Sequence, residues 1–214
     1  MGDEPMIGRI ITCDEDVAEG LSWLCQAEPR FAAVANDLTP LPLRLKPEGF
    51  GQVMSAILGQ QVSVASANAT WAKMVAAGLD DPVQVAKTSL DDLRVVGLSR
   101  QKATYAHALA EADIDYDGLR TLPDADVIKT LTAVKGIGLW TAEIYAKFSL
   151  GRADVIAAGD LALQIAAQQI FDLPQRPTDK ELRQMAMAWS PWRSVAARLL
   201  WAYYAKVKQR DGIR

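Results

Sequence analysis

Two short stretches of this 214-residue chain carry residue types that could hold a phosphate and present a carboxylate. In Leu131-Thr-Ala-Val-Lys-Gly-Ile-Gly-Leu-Trp-Thr-Ala142, the glycines at 136 and 138 flank Ile137, so the backbone turns tightly while the isoleucine anchors the turn in the core. The N–H groups of the next helix then face outward, and such a helix start binds a phosphate without a basic side chain. A helix C-cap glycine followed by a short connection fits the same residues. Downstream, Gly159-Asp160 sets a carboxylate just before the helical run Leu161-Ala-Leu-Gln164. By residue type alone, Asp160 reads as the N-cap of that helix. Together the two stretches point to DNA and to chemistry on DNA.

Helices must position these residues. Apolar residues recur at helical spacing from Glu15 onward, alanine is abundant and alternating β-branched runs are nearly absent, which predicts an all-α protein. Helices are predicted at 14–27, 29–36, 49–59, 62–77, 82–88, 89–95, 99–112, 116–121, 124–131, 139–148, 161–171, 178–188 and 191–209. Ser89, Ser99 and Thr178 are the expected N-caps, and Ser190 with Pro191 is expected to open the last helix. The prolines of Leu38–Pro47 rule out a helix there and predict an extended crossing with room for a short strand. Leu93–Ala103 echoes the glycine hairpin in outline.

Composition narrows the function classes. Half the residues are hydrophobic, enough for one large core or two small ones sharing an interface. No apolar run approaches the roughly 20 residues of a membrane span, and the start Met-Gly-Asp-Glu-Pro lacks a leader pattern, so the expected location is cytoplasmic. Cys13 and Cys25 are too few for an iron–sulfur cluster or a structural zinc, and read as reduced thiols. His107, the sole histidine, has no partners for a triad or zinc site. A net charge of -3 argues against an indiscriminate salt-driven binder of nucleic acid. It leaves room for a protein that grips a few phosphates through helix N-termini and a local basic patch.

Several motifs in order resemble the helix-hairpin-helix DNA glycosylase superfamily, and within it the 3-methyladenine DNA glycosylase II branch. They are Ile57-Leu-Gly-Gln-Gln-Val-Ser63, Val96-Gly-Leu-Ser-Arg-Gln-Lys-Ala103, Val134 to Ala142, Gly159-Asp-Leu-Ala-Leu-Gln164 and Trp189-Ser-Pro-Trp-Arg-Ser-Val-Ala-Ala197. The resemblance runs from about residue 44 to 207. It implies two helical lobes, 1–43 with 150–214 and 44–149, with the hairpin and Asp160 at the cleft between them, in a compact form lacking an extra N-terminal β-containing domain. It implies a monomer acting on double-stranded DNA with alkylated bases, away from any membrane and on the nucleoid DNA of a bacterium, with no required cofactor. The implied reaction is hydrolysis of the N-glycosidic bond of alkylated purines, 3-methyladenine and 7-methylguanine, which starts base-excision repair.

The resemblance also assigns roles. Asp160 is the implied catalytic carboxylate, stabilising an oxocarbenium-like sugar and orienting water. Relatives that also cut the backbone carry a lysine two places after the hairpin's last glycine; Trp140 stands there, implying a monofunctional enzyme. Trp140 and Trp192 are the implied base-stacking rings, with Tyr145 a further candidate, while Trp189 reads as core. A core role fits Trp140 and Trp192 by residue type as well. Ile144, where a pocket aromatic is expected, and Ile156-Ala157, where relatives often carry an aromatic and a proline, depart from the pattern. Gln61 is the implied wedge that fills the gap left by a flipped nucleotide, although Gln60-Gln61 also reads as capping adjoining helices. Lys135, Gly136, Ile137, Gly138 and Thr141 form the implied phosphate site, where carbonyls of Thr132, Val134 and Ile137 hold an optional Na+ or K+. Lys147 reads as a phosphate contact or surface charge, Arg193 and Arg198 as a basic surface or ion-pair partners, and Glu143, Asp154 and Asp172 as solvated or structural carboxylates. Two alternatives stand beside this: a non-catalytic helix-hairpin-helix DNA-binding module, and a glycosylase of the same superfamily for a different lesion.

Overall fold

The computed structural model describes residues 7–210. The expected absence of a leader, and the outer ends of the predicted lobes at 1–6 and 211–214, lie outside these residues. Along the described chain run α1 (Asp14–Ala27), α2 (Pro29–Ala35), α3 (Phe50–Leu58), α4 (Val64–Ala76), α5 (Pro82–Lys87), α6 (Leu90–Val95), α7 (Arg100–Glu111), α8 (Asp124–Thr132), α9 (Leu139–Phe148), α10 (Leu161–Ile170), α11 (Asp179–Met185) and α12 (Arg193–Arg210). Short 3-10 segments occupy Gly118–Thr121 and Ala186–Trp189. The all-α expectation holds. Among the described residues, β-type pairing is limited to one isolated antiparallel bridge, Ile10 with Arg152. The proline-rich stretch 38–47 stays non-helical but forms no strand.

Two compact units emerge, one of residues up to Leu45 and from Ala146, the other of Lys46–Tyr145. In the first, α12 is the central helix. Ser194 to Leu200 are buried without a break, as in a helix enclosed on all sides, and α10, α1 and α2 pack against it. Phe31, Phe171 and Trp189 meet within its core at centroid distances of 5.1 to 5.7 Å. The N-terminal segment joins this unit through main-chain bonds: Ile11 N–H donates to Gly151 O at 2.7 Å, and Ala153 N–H to Arg9 O at 3.0 Å.

In the second unit, α3 buries Phe50, Val53, Met54, Ile57 and Leu58, the apolar stripe of an amphipathic helix. It packs on α7, whose buried residues are Ala103, Ala106 and Leu109, and the two alanines permit close approach. Helices α5 and α6 also pack on α7.

Ser89, Ser99 and Thr178 cap α6, α7 and α11 by accepting backbone N–H groups, as their positions predict. A capping box of Cys13 and Asp16 at α1 went unread in the sequence. The Thr12 N–H, chief among several donors, holds the Asp16 carboxyl well below the usual carboxylate range. Three expected boundaries are corrected. Helix α12 opens at Arg193, because Ser190 Oγ donates to Asp154 Oδ2 at 2.7 Å instead of capping a helix. The 178–188 helix narrows to a 3-10 turn after Met185. Helix α4 begins at Val64 because Ser63 accepts Ser66 N–H as its cap.

Candidate functional site

The hairpin joins α8 to α9. Ile137 N–H donates to Val134 O at 3.1 Å, and both side chains are buried, so the turn is anchored as the Gly-Ile-Gly pattern predicts. Gly136 lies at φ +100, and a Cβ there would sit 2.4 Å from Tyr105 Cγ, which leaves room for glycine alone. Gly138 is under no such constraint: a Cβ on it would meet nothing within 4 Å. Its carbonyl accepts Ala142 N–H at 3.1 Å, starting the α9 ladder. Gly138, Leu139 and Trp140 form an exposed first turn, with Lys135 exposed beside it, and the helix macrodipole puts its positive end there. Thr141, assigned to the same phosphate site, is only 5% exposed: it lies on the inward face of α9 with Ala142, so its hydroxyl is turned from solvent.

Asp160 sits at the N-terminus of α10. Its Oδ1 accepts Ala162 N–H at 2.9 Å and Leu163 N–H at 3.4 Å, so the capping role read from the residue type is present. The side chain is half-buried, and Gly159 before it is exposed. Ahead of it, 155–158 is buried throughout, including Ile156 and Ala157. Buried Gln164 donates from Nε2 to Ala158 O at 2.9 Å, bracing the turn that leads to the aspartate.

Between α3 and α4, Gln61 is exposed in the left-handed region at φ +59. Such a backbone is uncommon for a residue with a Cβ and is held by its surroundings. The neighbouring Gln60 donates from Nε2 to Gly136 O at 3.0 Å.

The aromatic assignments divide. Trp140 is 44% exposed on the first turn of α9, so its ring is not a core ring. Trp192 is corrected: at 3% exposure it belongs to the core cluster of its unit, where a Cβ on Gly20 would meet its ring at 2.5 Å, and the Arg9 guanidinium stacks on it at 4.7 Å. Almost none of the ring is accessible to a base. Tyr145 is corrected in the same way. It is buried, and its Oη accepts Gly49 N–H at 2.8 Å, while burial pushes the phenol's pKa up. Ile144 is half-buried.

Two basic assignments also change. Lys147 is fully buried with Nζ 3.8 Å from the centroid of the Trp201 ring, so it is no surface charge. Arg198 is buried too, donating to Leu43 O and to Ser194 O and Oγ, and desolvation pushes its pKa down to about 10. Arg193 is ion-paired with Asp154 at 3.4 Å and donates to Ala186 O. Glu143 is buried. His107 is a helix residue bonded through Nε2 to Thr88 O.

The hairpin, Trp140 and the Gln61 loop all lie in the Lys46–Tyr145 unit, and Asp160 lies in the other. The backbone bonds of Gln60 and Gln164 and the packing of the Tyr105 ring on Gly136 went unread in the sequence, which offered Gln60 only a capping role. Among the described residues no cluster of three or more His, Cys, Asp or Glu could hold a metal, and no helix is long and apolar enough to cross a membrane.

Comparison with known proteins extends this description. The family model described as HhH-GPD superfamily base excision DNA repair protein matches residues 54–191. The alkylbase DNA glycosidase-like protein mag2 of Schizosaccharomyces pombe is 26% identical over 200 residues, 88% of this chain and 94% of that protein. A Bacillus halodurans DNA-3-methyladenine glycosidase structure is similar at a TM-score of 0.79 and 30% identity, covering 94% of each chain. The S. pombe 3-methyladenine DNA glycosylase (Mag1), solved in complex with abasic DNA, gives a TM-score of 0.73 at 26% identity over 89% of this chain and 97% of its own. With the family model covering more than half of its length, this chain belongs to the HhH-GPD superfamily of base excision DNA repair proteins.

Proposed function

We propose that the protein is a monofunctional DNA glycosylase that hydrolyses the N-glycosidic bond of alkylated purines, 3-methyladenine and 7-methylguanine among them, in double-stranded DNA. The observation that carries this reading is the placement of Asp160: a partly exposed carboxylate fixed by two backbone N–H groups at a helix start. Names of the related proteins, several of them 3-methyladenine glycosylases, agree with it.

In this reading the bond from C1′ to the base nitrogen breaks and its electron pair leaves with the base. An alkylated purine is cationic and departs neutral, so a strong general acid is not needed. Positive charge grows on the sugar, and the Asp160 carboxylate stabilises it. Water bonds to C1′ and releases its proton to Asp160 or to solvent. Trp140 stacks on the flipped, electron-poor base, and Gln61 fills the gap in the duplex. The α9 N-terminus, with Lys135 beside it, holds a phosphate. Carbonyls of Thr132, at the end of α8, and of Val134 and Ile137 are oxygen donors suited to a Na+ or K+ ion, which would add positive charge beside that phosphate. The protein acts as a monomer.

A non-catalytic DNA-binding module keeps one observation on its side: capping α10 is already a sufficient structural task for Asp160. Incubation with methylated duplex DNA separates the readings. The expected result is release of free methylpurines, leaving strands intact until alkali cleaves the abasic sites. Strand cleavage without alkali would overturn the monofunctional assignment. DNA retention with no base released from methylated DNA would favour the binding module or a different lesion.

A further inference from the structure

The Gln61 loop is tied to the hairpin and to α7 by side-chain bonds to backbone. Half-buried Gln60 donates its amide to Gly136 O at 3.0 Å. Gly136 is the hairpin residue held most tightly, at φ +100 against the Tyr105 ring, and Tyr105 Oη accepts Gln101 Nε2 at 2.7 Å. Two residues before Gln60 in the chain, the carbonyl of Leu58, the last residue of α3, accepts a bond from Lys102 Nζ at 2.6 Å. Burial pushes the Lys102 pKa down, consistent with an ammonium drawn in to hold that helix end. Gln61 follows directly on these two fixings, exposed and in a backbone region its side chain disfavours.

We propose that Gln60 is a positioning residue whose bond to the hairpin carbonyl fixes the height and direction at which Gln61 leaves the loop. A duplex seated on the hairpin then meets a wedge already aimed at the base stack. This rests on the reading of Gln61 as the residue that replaces a flipped nucleotide. The role requires a donor at residue 60, because Gly136 offers a carbonyl oxygen. Leucine removes the donor. An ionised glutamate sets a carboxylate against the carbonyl, whereas a protonated one donates again.

The test uses Gln60→Leu and Gln60→Glu, alone and combined with Gln61→Ala. Readouts are single-turnover base release, affinity for a duplex with an abasic site, and fluorescence of 2-aminopurine beside the lesion as a measure of unstacking. Gln60→Leu is expected to slow release and unstacking about five- to tenfold, the range of one lost hydrogen bond. Affinity should change by less than about twofold, and so should the rate when the same substitution is made in the Gln61→Ala background. Relative to native protein at each pH, Gln60→Glu should match the leucine variant near pH 8 and recover toward pH 5, whereas the leucine variant shows no recovery. The proposal is overturned by a Gln60→Leu variant as fast as native, by an equal loss with and without Gln61, or by a glutamate variant that never recovers. Native protein that releases no base sinks the glycosylase reading instead. The 2-aminopurine signal then still decides the coupling, since equal unstacking by native and Gln60→Leu overturns it.

Discussion

Asp160→Asn is expected to lower methylpurine release by about 100- to 1000-fold, the scale of losing one preorganised electrostatic stabiliser. The fold should be untouched, because asparagine caps a helix as well as aspartate and its Oδ1 can accept the same Ala162 and Leu163 N–H groups. Asp160→Ala removes cap and charge together. It should lose the same activity and also about 1 kcal/mol of stability, a fall in Tm of about 2–4 °C. Comparing the two variants by base release and thermal unfolding separates the two tasks of one side chain. An Asn variant that keeps more than a tenth of native release would assign the chemistry to another group.

Gly136→Ala should be the most damaging change in the hairpin. A Cβ at φ +100 is strained by about 1–3 kcal/mol. Its approach to 2.4 Å from Tyr105 Cγ forces ring or backbone to shift, at a further cost of about 1–3 kcal/mol. Tm should drop by about 4–24 °C, and DNA affinity should weaken because the displaced turn carries the α9 start with it. Gly138→Ala is the internal control: its Cβ meets nothing within 4 Å, and stability should stay within about 0.5 kcal/mol of native. Thermal unfolding of both variants, with DNA affinity measured on each, checks the contrast. Equal losses at the two glycines would mean that the hairpin needs flexibility at both places, not one left-handed residue.

Sequence pattern disclosed most of the helices because their signals are local. Caps such as Ser99 and Thr178 and the apolar stripe of α3 each act within a turn or two of chain. It failed where burial has no period. In α12, Ser194 to Leu200 are enclosed on every side, so Arg198 looked like a surface residue when it serves main-chain carbonyls instead. Trp192 was misread for a related reason: its burial comes from Gly20 of α1 and from Arg9, partners far away in sequence, packing against its ring. The capping role of Asp160 was legible because a carboxylate after glycine at a helix start is a local pattern. Gln60 was not, since its partner is a backbone carbonyl 76 residues away.

The burial of Lys147, Arg152 and Arg198 bears on how this protein would meet a polyelectrolyte. Among the described residues, these three basic side chains are withdrawn from solvent against one comparably buried carboxylate, Glu143, so fewer cations reach the surface to meet phosphates than the composition offers. With a net charge of -3, long-range attraction to a duplex is weak as well. Attachment through one helix terminus and Lys135 displaces few condensed counterions, so the logarithm of the association constant should fall with that of salt at a slope of about -1 to -2. Affinity for intact DNA would then be modest and little affected by ionic strength, and discrimination would come from the lesion being easier to extrude.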